Sequence, residues 1–412
     1  VVDKLLLCHL PAADLRRINP IDTPYLSALF DSYPWVKIKT LPGDDSEAVT
    51  LTGAYPHDSG IWQVKLKPES PPSLLDRIGD TMPDDLVTTF QGLVRVFNFS
   101  TSDYLCTIPS RRLRSFEIHR FKYRRVGRAI EDLLQIGSVK SVLGVIGYGP
   151  EKSNYVFNRK YDQLSGNLTR VCSGEYRLEY FEIRCLDFEQ HWNLDDATKT
   201  RLFYRRIDDF VKLLHEKCTA NHVKLMILSD HGQEQVKGDI DIKKELNRLG
   251  LASNEYQYYL QATKARFWFH TDRARHSITD MLSSLRHGTV LTYQELHQYN
   301  VRFDNTDYGD VYFFPDAGFI IFPHDLYQPA ANLFLGLVNE EQRSRIFNGR
   351  QKGEHGYLPY NESEYGFMMV LDQSCQASDE DVEIIDIAPS VLGLLGYDNA
   401  PTMKGRSAFV AV

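Results

Sequence analysis

The apolar residues of this chain fall into short, separated runs whose spacing predicts strands alternating with helices. Leu5-Leu6-Leu7-Cys8 is continuous and ends in polar residues, as a buried first strand does. Thr23-Pro24 opens a helix, with Thr23 at the N-cap and Pro24 at the first helical position. Trp35 to Lys39 alternates like a half-buried strand, Leu41 to Ser46 reads as loop, and Glu47 to Thr52 as a helix ended by Gly53. Ser141 to Ile146 and Tyr180 to Cys185 read as further strands. Thr198 to Lys217 is an amphipathic helix, and Val223 to Leu228 is the clearest buried strand.

The predicted fold is therefore α/β, a mostly parallel central sheet flanked by helices on both faces. Leu5 to Cys8 should lie beside Val223 to Leu228, because parallel strands buried on both faces suit both runs. Residues 239–328 change character: a short helix (Asp241 to Leu249), an aromatic strand (Ala265 to His270), a second helix (Ser277 to Leu285), then strand signals up to Phe322. They predict an inserted α+β subdomain. Residues 1–238 and 329–412 then form the core, with Asp386 to Leu395 as a returning helix.

Composition narrows the choices. A length of 412 residues leaves room for a large core plus an insert. The formal net charge of −8 argues against nucleic acid or an anionic membrane as the main partner. The basic run from Arg111 to Arg125 is either a solvated face or one that meets an anion. The six cysteines include no CxxC pair and fit no zinc knuckle, which points to a reducing compartment. No apolar run approaches the ~18 residues of a membrane span, and no signal peptide is visible, so the expected location is cytoplasmic.

Three clusters carry candidate chemistry. Ser229-Asp230-His231-Gly232 directly follows the strand Val223 to Leu228. Open α/β sheets bind ligands beyond the carboxyl ends of their strands, and a carboxylate with an imidazole there suits a borderline metal such as zinc. Asp187-Phe188-Glu189-Gln190-His191 follows the strand Tyr180 to Cys185 and repeats the pairing. Gly353-Glu354-His355-Gly356 sets a His between glycines. Alone, the first is equally a turn carrying a surface His, and the other two are weaker signals still.

Together and in this order, Asp-x-x-x-His, Ser-Asp-His-Gly and Gly-x-His-Gly resemble the type I phosphodiesterase/nucleotide pyrophosphatase branch of the alkaline phosphatase superfamily. Thr52-Gly53-Ala54-Tyr55-Pro56-His57-Asp58-Ser59-Gly60-Ile61 is similar to the segment after that family's nucleophile. Ile385 to Leu392 and Met403 to Arg406 are similar to its closing region. The resemblance implies one or two divalent metals per chain, zinc first, and a small-molecule phosphate-type ester as substrate or ligand. It implies one metal held by Asp187, His191 and His355. The other would be held by Asp230, His231, a first-strand Asp and a Thr or Ser nucleophile.

Two positions depart from the pattern. His9 falls where the first-strand Asp belongs. Counting back ten residues from Gly53 reaches Gly43, which has no side chain to attack with. Asp44, Asp45 and Ser46 are the neighbouring candidates for a replacement ligand or nucleophile, Asp44 and Asp45 being equally a solvated loop pair. Two functions follow: a metal-dependent hydrolase or transferase with a rearranged nucleophile, or a degenerate member that binds a ligand or partner protein without turnover.

Overall fold

The computed structural model of the protein describes residues 2–43, 46–69, 130–325, 350–378 and 381–411, with isolated pieces between 71 and 128 and residue 327. The apolar opening run forms β1 (Leu5–His9). It is followed by α1 (Pro24–Ser32), β2 (Trp35–Lys39) and α2 (Ser46–Thr52). Then come β3 (Ser153–Asn158), β4 (Leu178–Ile183), α3 (Cys185–Asn193), α4 (Ala197–Ala220) and β5 (Lys224–Ser229).

Next are β6 (Tyr256–Leu260), β7 (Ala265–Phe269), α5 (Asp272–Ser284), β8 (Gly288–Thr292) and β9 (Val311–Pro315). The short β10 (Gly353–Glu354), β11 (Gly366–Val370), β12 (Val382–Glu383) and α6 (Ile387–Leu394) complete the frame.

Seven strands form the central sheet in the order β12-β2-β11-β5-β1-β4-β3. β1 pairs in parallel with β4 on one side and with β5 on the other, Cys8 facing Ile227. The sheet is mixed rather than mostly parallel, because β11 runs antiparallel to both its neighbours, β5 and β2. Hydrophobicity alone does not disclose the direction of a strand buried on both faces.

The alternation along β1 explains the two layers. Leu5 and Leu7 face one core with α2 and α6, whereas Leu6 and Cys8 face another with α1 and α4. Asp196 caps α4 by accepting from the N–H groups of Thr198 and Lys199. On the buried side of α4, Asp208 accepts from the N–H groups of Tyr25 (3.0 Å) and Leu26 (2.7 Å), fastening the start of α1 to it.

Ser141 to Ile146 is not a strand. Val142–Ile146 is a helical turn whose cap, Ser141, accepts from Gly144 N–H at 3.1 Å. A run this short gives no periodicity to separate strand from helix, and here the cap decides. The strand read at Tyr180 to Cys185 lies two residues earlier, so Asp187 and His191 stand on α3 rather than in a loop. Asp44 and Asp45 lie outside the described residues. Among the described residues, no helix is long and apolar enough to cross a membrane.

A second, four-stranded antiparallel sheet has the order β6-β7-β9-β8. It packs on α5 around Phe267, Ile278, Leu282 and Phe313. At its edge the fully buried Asp325 accepts from Leu260 N–H (2.9 Å) and faces Lys243 (3.0 Å) and Arg112 (3.6 Å). Part of the basic run is therefore a structural partner, not a solvated face. Burial alone would raise the Asp325 carboxyl, but Lys243 and Arg112 outweigh it and hold it below its ordinary value.

Asp325→Ala removes one side of a buried ion pair and should cost about 3–5 kcal/mol in denaturant unfolding. A loss below about 1 kcal/mol would contradict this account. Because the folded carboxyl is the stronger acid, its contribution is complete above about pH 4 and is lost as pH falls through the folded value.

Candidate metal centre

β1, β4 and β5 end together at one edge of the sheet, and each delivers polar groups there. β5 leads directly into Asp230 and His231, β1 ends in His9, and β4 runs into α3, which carries Asp187 and His191 one helical turn apart. The fourth contributor is β10. A Cβ on Gly353 would lie 2.6 Å from Gln190 O, so only glycine lets β10 lie against α3 and bring His355 in.

Asp187, His191 and His355 each offer one ligand atom, all within 4.8 Å of one another. Asp187 Oδ1 lies 3.2 Å from His191 Nε2 and 3.7 Å from His355 Nε2. His191 Nδ1 lies 2.9 Å from Gly353 O, an atom that can only accept, so Nδ1 carries a proton and Nε2 turns to Asp187. His231 repeats the arrangement: Nδ1–H donates to Gly232 O (2.8 Å), and Nε2 faces Asp230 Oδ2 at 3.5 Å. This is how proteins orient metal-ligating imidazoles.

His9 adjoins Asp230, Nε2 to Oδ1 3.3 Å, while its Nδ1 meets the Tyr180 hydroxyl at 2.7 Å. Ser46 Oγ donates to Asp230 Oδ2 at 2.9 Å. The His231 and His355 rings stack at 3.8 Å and join the two halves of the site. Among the described residues, His9, Asp230 and His231 do not close into a three-donor group as the other set does.

The donor set fits a divalent cation. Asp187 Oδ1, Asp230 Oδ1 and His9 Nε2 are buried and make no protein hydrogen bond, an arrangement that is costly without a cation. Without one, the carboxylates lean on protons. Burial would lower His191, but Glu354 and Asp187 overcome it and push its imidazole up to about 10. Burial and the neighbouring His231 drive His355 well below its ordinary value. Burial raises the Glu354 and Glu364 carboxyls, each to about 7. Against burial, His231 and His9 hold Asp230 far down, and His191 and His355 do the same for Asp187. A metal bound here would replace protons as the compensating charge.

Several contributors were not singled out in the sequence. Tyr180 and Glu364 carry no motif. Glu354 sits inside the quoted Gly-Glu-His-Gly, where only the His was read as a ligand. Arg184, in salt-bridge contact with Glu47 at 3.4 Å, adds positive charge toward both Asp187 and Asp230.

No protein-family model matches this chain, and no curated protein matches it by sequence. Its fold is nevertheless that of the ectonucleotide pyrophosphatase/phosphodiesterases. Murine ectonucleotide pyrophosphatase/phosphodiesterase 5 superposes with a TM-score of 0.60 at 12% identity, covering 97% of this chain and 96% of that one. An inactive form of the murine protein in complex with AMP gives 0.59 at 13%, and the human counterpart 0.57 at 14%, over the same shares of the chains. At such identities the likeness establishes the fold.

Proposed function

We propose that this chain is a metal-dependent hydrolase or transferase of a phosphate-type ester, of the phosphodiesterase/nucleotide pyrophosphatase kind, working with an altered nucleophile region. The observation that carries the reading is the convergence of Asp187, His191 and His355, with Asp230, His9 and His231 beside it, at the ligand-binding edge of the sheet. Asp187, His191 and His355 would hold the tighter cation, zinc by its nitrogen and oxygen donors. Asp230, His231 and His9 would hold a second more weakly, since His9 brings no charge where a carboxylate is usual. A bound cation would supply Lewis acidity toward a phosphoryl oxygen.

The chain's own groups do the rest. Ser46 presents a hydroxyl against Asp230 and is the described side chain best placed to attack or to orient water. AMP in a protein of this fold supports a nucleotide-type ligand. In the same reading, residues 1–238 and 329–412 form the core and 239–328 an insert that shapes the ligand side.

A specific observation favours the second reading, binding without turnover. The position of the usual attacking side chain is Gly43, and the space beside it is taken by another residue. One experiment separates the two. Zinc-loaded protein is expected to cleave an aryl phosphodiester weakly, with activity abolished by chelator and reduced by about 100-fold or more in Ser46→Ala. AMP binding with no turnover would favour the binding module. Robust turnover untouched by Ser46→Ala would remove Ser46 from the account, and failure to retain any divalent metal would defeat both readings.

A further inference from the structure

Cys8, Cys172, Cys185 and Cys218 all belong to the core that the sheet shares with α1 and α4, and all are buried as free thiols. Two of them meet. The Sγ atoms of Cys172 and Cys218 lie 2.8 Å apart, although 46 residues separate them in sequence. Among the described residues, no cysteine joins a group of three donors that could hold a metal, so the pair is not a thiolate metal site.

Independent bonds hold the two sulfurs together. Cys218 stands in the last turn of α4, where its carbonyl accepts from Val223 N–H at 2.9 Å. Cys172 stands in the turn before β4, in the left-handed region at φ +56°, and its N–H donates to the Glu179 carboxylate on β4 at 2.7 Å. Lys217, the residue before Cys218, donates from Nζ to Leu168 O in the segment that leads to Cys172. The helix end and the turn are therefore tied at places other than the sulfurs. A thiol is a weak donor and a weak acceptor, so the contact gains little while both groups stay thiols. The turn runs at the surface: Thr169, Arg170, Ser173 and Glu175 are exposed around the buried Cys172. Local opening of this turn uncovers Cys172 without unwinding α4.

We propose that Cys172 and Cys218 are a disulfide site, closed by a low-molecular-weight disulfide such as oxidised glutathione. Cys172 loses its proton to water, and its thiolate attacks one sulfur of the glutathione disulfide. That bond breaks, and one glutathione leaves as a thiolate and takes up a proton. Cys218, deprotonated in turn, attacks the Cys172 sulfur of the mixed disulfide and expels the second glutathione. Two protein thiols are oxidised and one small disulfide is reduced to two thiols. The new bond encloses residues 172–218, which include β4, α3 and most of α4, and therefore Asp187 and His191. A cross-link over a loop of this length stabilises the fold chiefly by restricting the unfolded chain.

The full chain, incubated with oxidised glutathione, freed of reagent and unfolded in denaturant, tests this by its thiol count. Wild type should show two thiols fewer than the six of the reduced chain. Mass spectrometry of an unreduced digest should find residues 172 and 218 joined. The oxidised chain should melt about 5 °C above the reduced chain. Cys218→Ala should form no bridge and show no such rise. If that variant does not fold, Cys172→Ala carries the same comparison, and the wild-type digest stands without either. A wild-type chain that keeps all six thiols, carries glutathione only as an adduct, or bridges a different pair overturns the proposal. A 172–218 bridge that leaves the melting temperature unchanged overturns the stabilising role of the bond.

Discussion

Asp187→Ala is expected to leave the purified protein without tightly held metal. Asp187 Oδ1 is the hub of the three-donor cluster, facing Nε2 of both His191 and His355. It is also the cluster's carboxylate, so its loss leaves two neutral donors where a dication needs compensating charge. Removing even an outer-shell partner of a metal ligand costs about 10–100-fold in affinity, so loss of this ligand should cost more than about 100-fold. Metal analysis after dialysis should find about one tightly held zinc per wild-type chain and almost none in Asp187→Ala. His9→Ala should keep the tight zinc, because His9 belongs to the other half of the site. Thermal melts give an independent check. Zinc at about 100 times its dissociation constant stabilises a protein by about 2.7 kcal/mol, and Asp187→Ala should lose that gain. Equal zinc retention in Asp187→Ala and wild type would show that the cluster is not the metal site.

Much of this site is legible in the sequence, because its residues lie next to strand ends and a strand end is a local signal. The runs that became β1 and β5 announce themselves by continuous apolarity, and their direct pairing places His9 beside Asp230. The motif at 187–191 was legible as a pair but not as a helix. β4 ends at Ile183, and the switch from period two to the helical period falls within the few residues that follow. The antiparallel β11 was not legible either: Gly366–Val370 is buried throughout, and burial carries no direction. Lys264 was the least accessible, since nothing local distinguishes a buried lysine in a hairpin from a solvated one. Only the approach of that hairpin to Gly43, far away in sequence, discloses it. Side chains whose role comes from a neighbouring element leave no periodic trace.

Gly43→Thr is expected to fail as a repair. Restoring a hydroxyl side chain at the family's attacking position would rescue turnover if the glycine were merely a lost nucleophile. Two local facts argue otherwise. Gly43 lies at φ +90°, outside the region β-branched residues adopt, so threonine there is strained by about 1–3 kcal/mol. The new Cβ would also meet Lys264 Nζ at 2.3 Å, and Lys264 is held in a buried slot against Trp62. Turning the peptide to relieve the strain would break the Gly43 N–H to Gly356 O bond that fastens the loop beside His355. The expected result is a protein destabilised by about 1–3 kcal/mol in denaturant unfolding, with no gain in aryl phosphodiester cleavage. Adding Lys264→Ala removes the contact but not the backbone strain, so the double variant should recover part of the stability, and the two changes should be non-additive because they share a contact. A Gly43→Thr chain that is as stable as wild type and cleaves the ester faster would show that the turn rearranges freely, and that Lys264 yields its place to an attacking side chain.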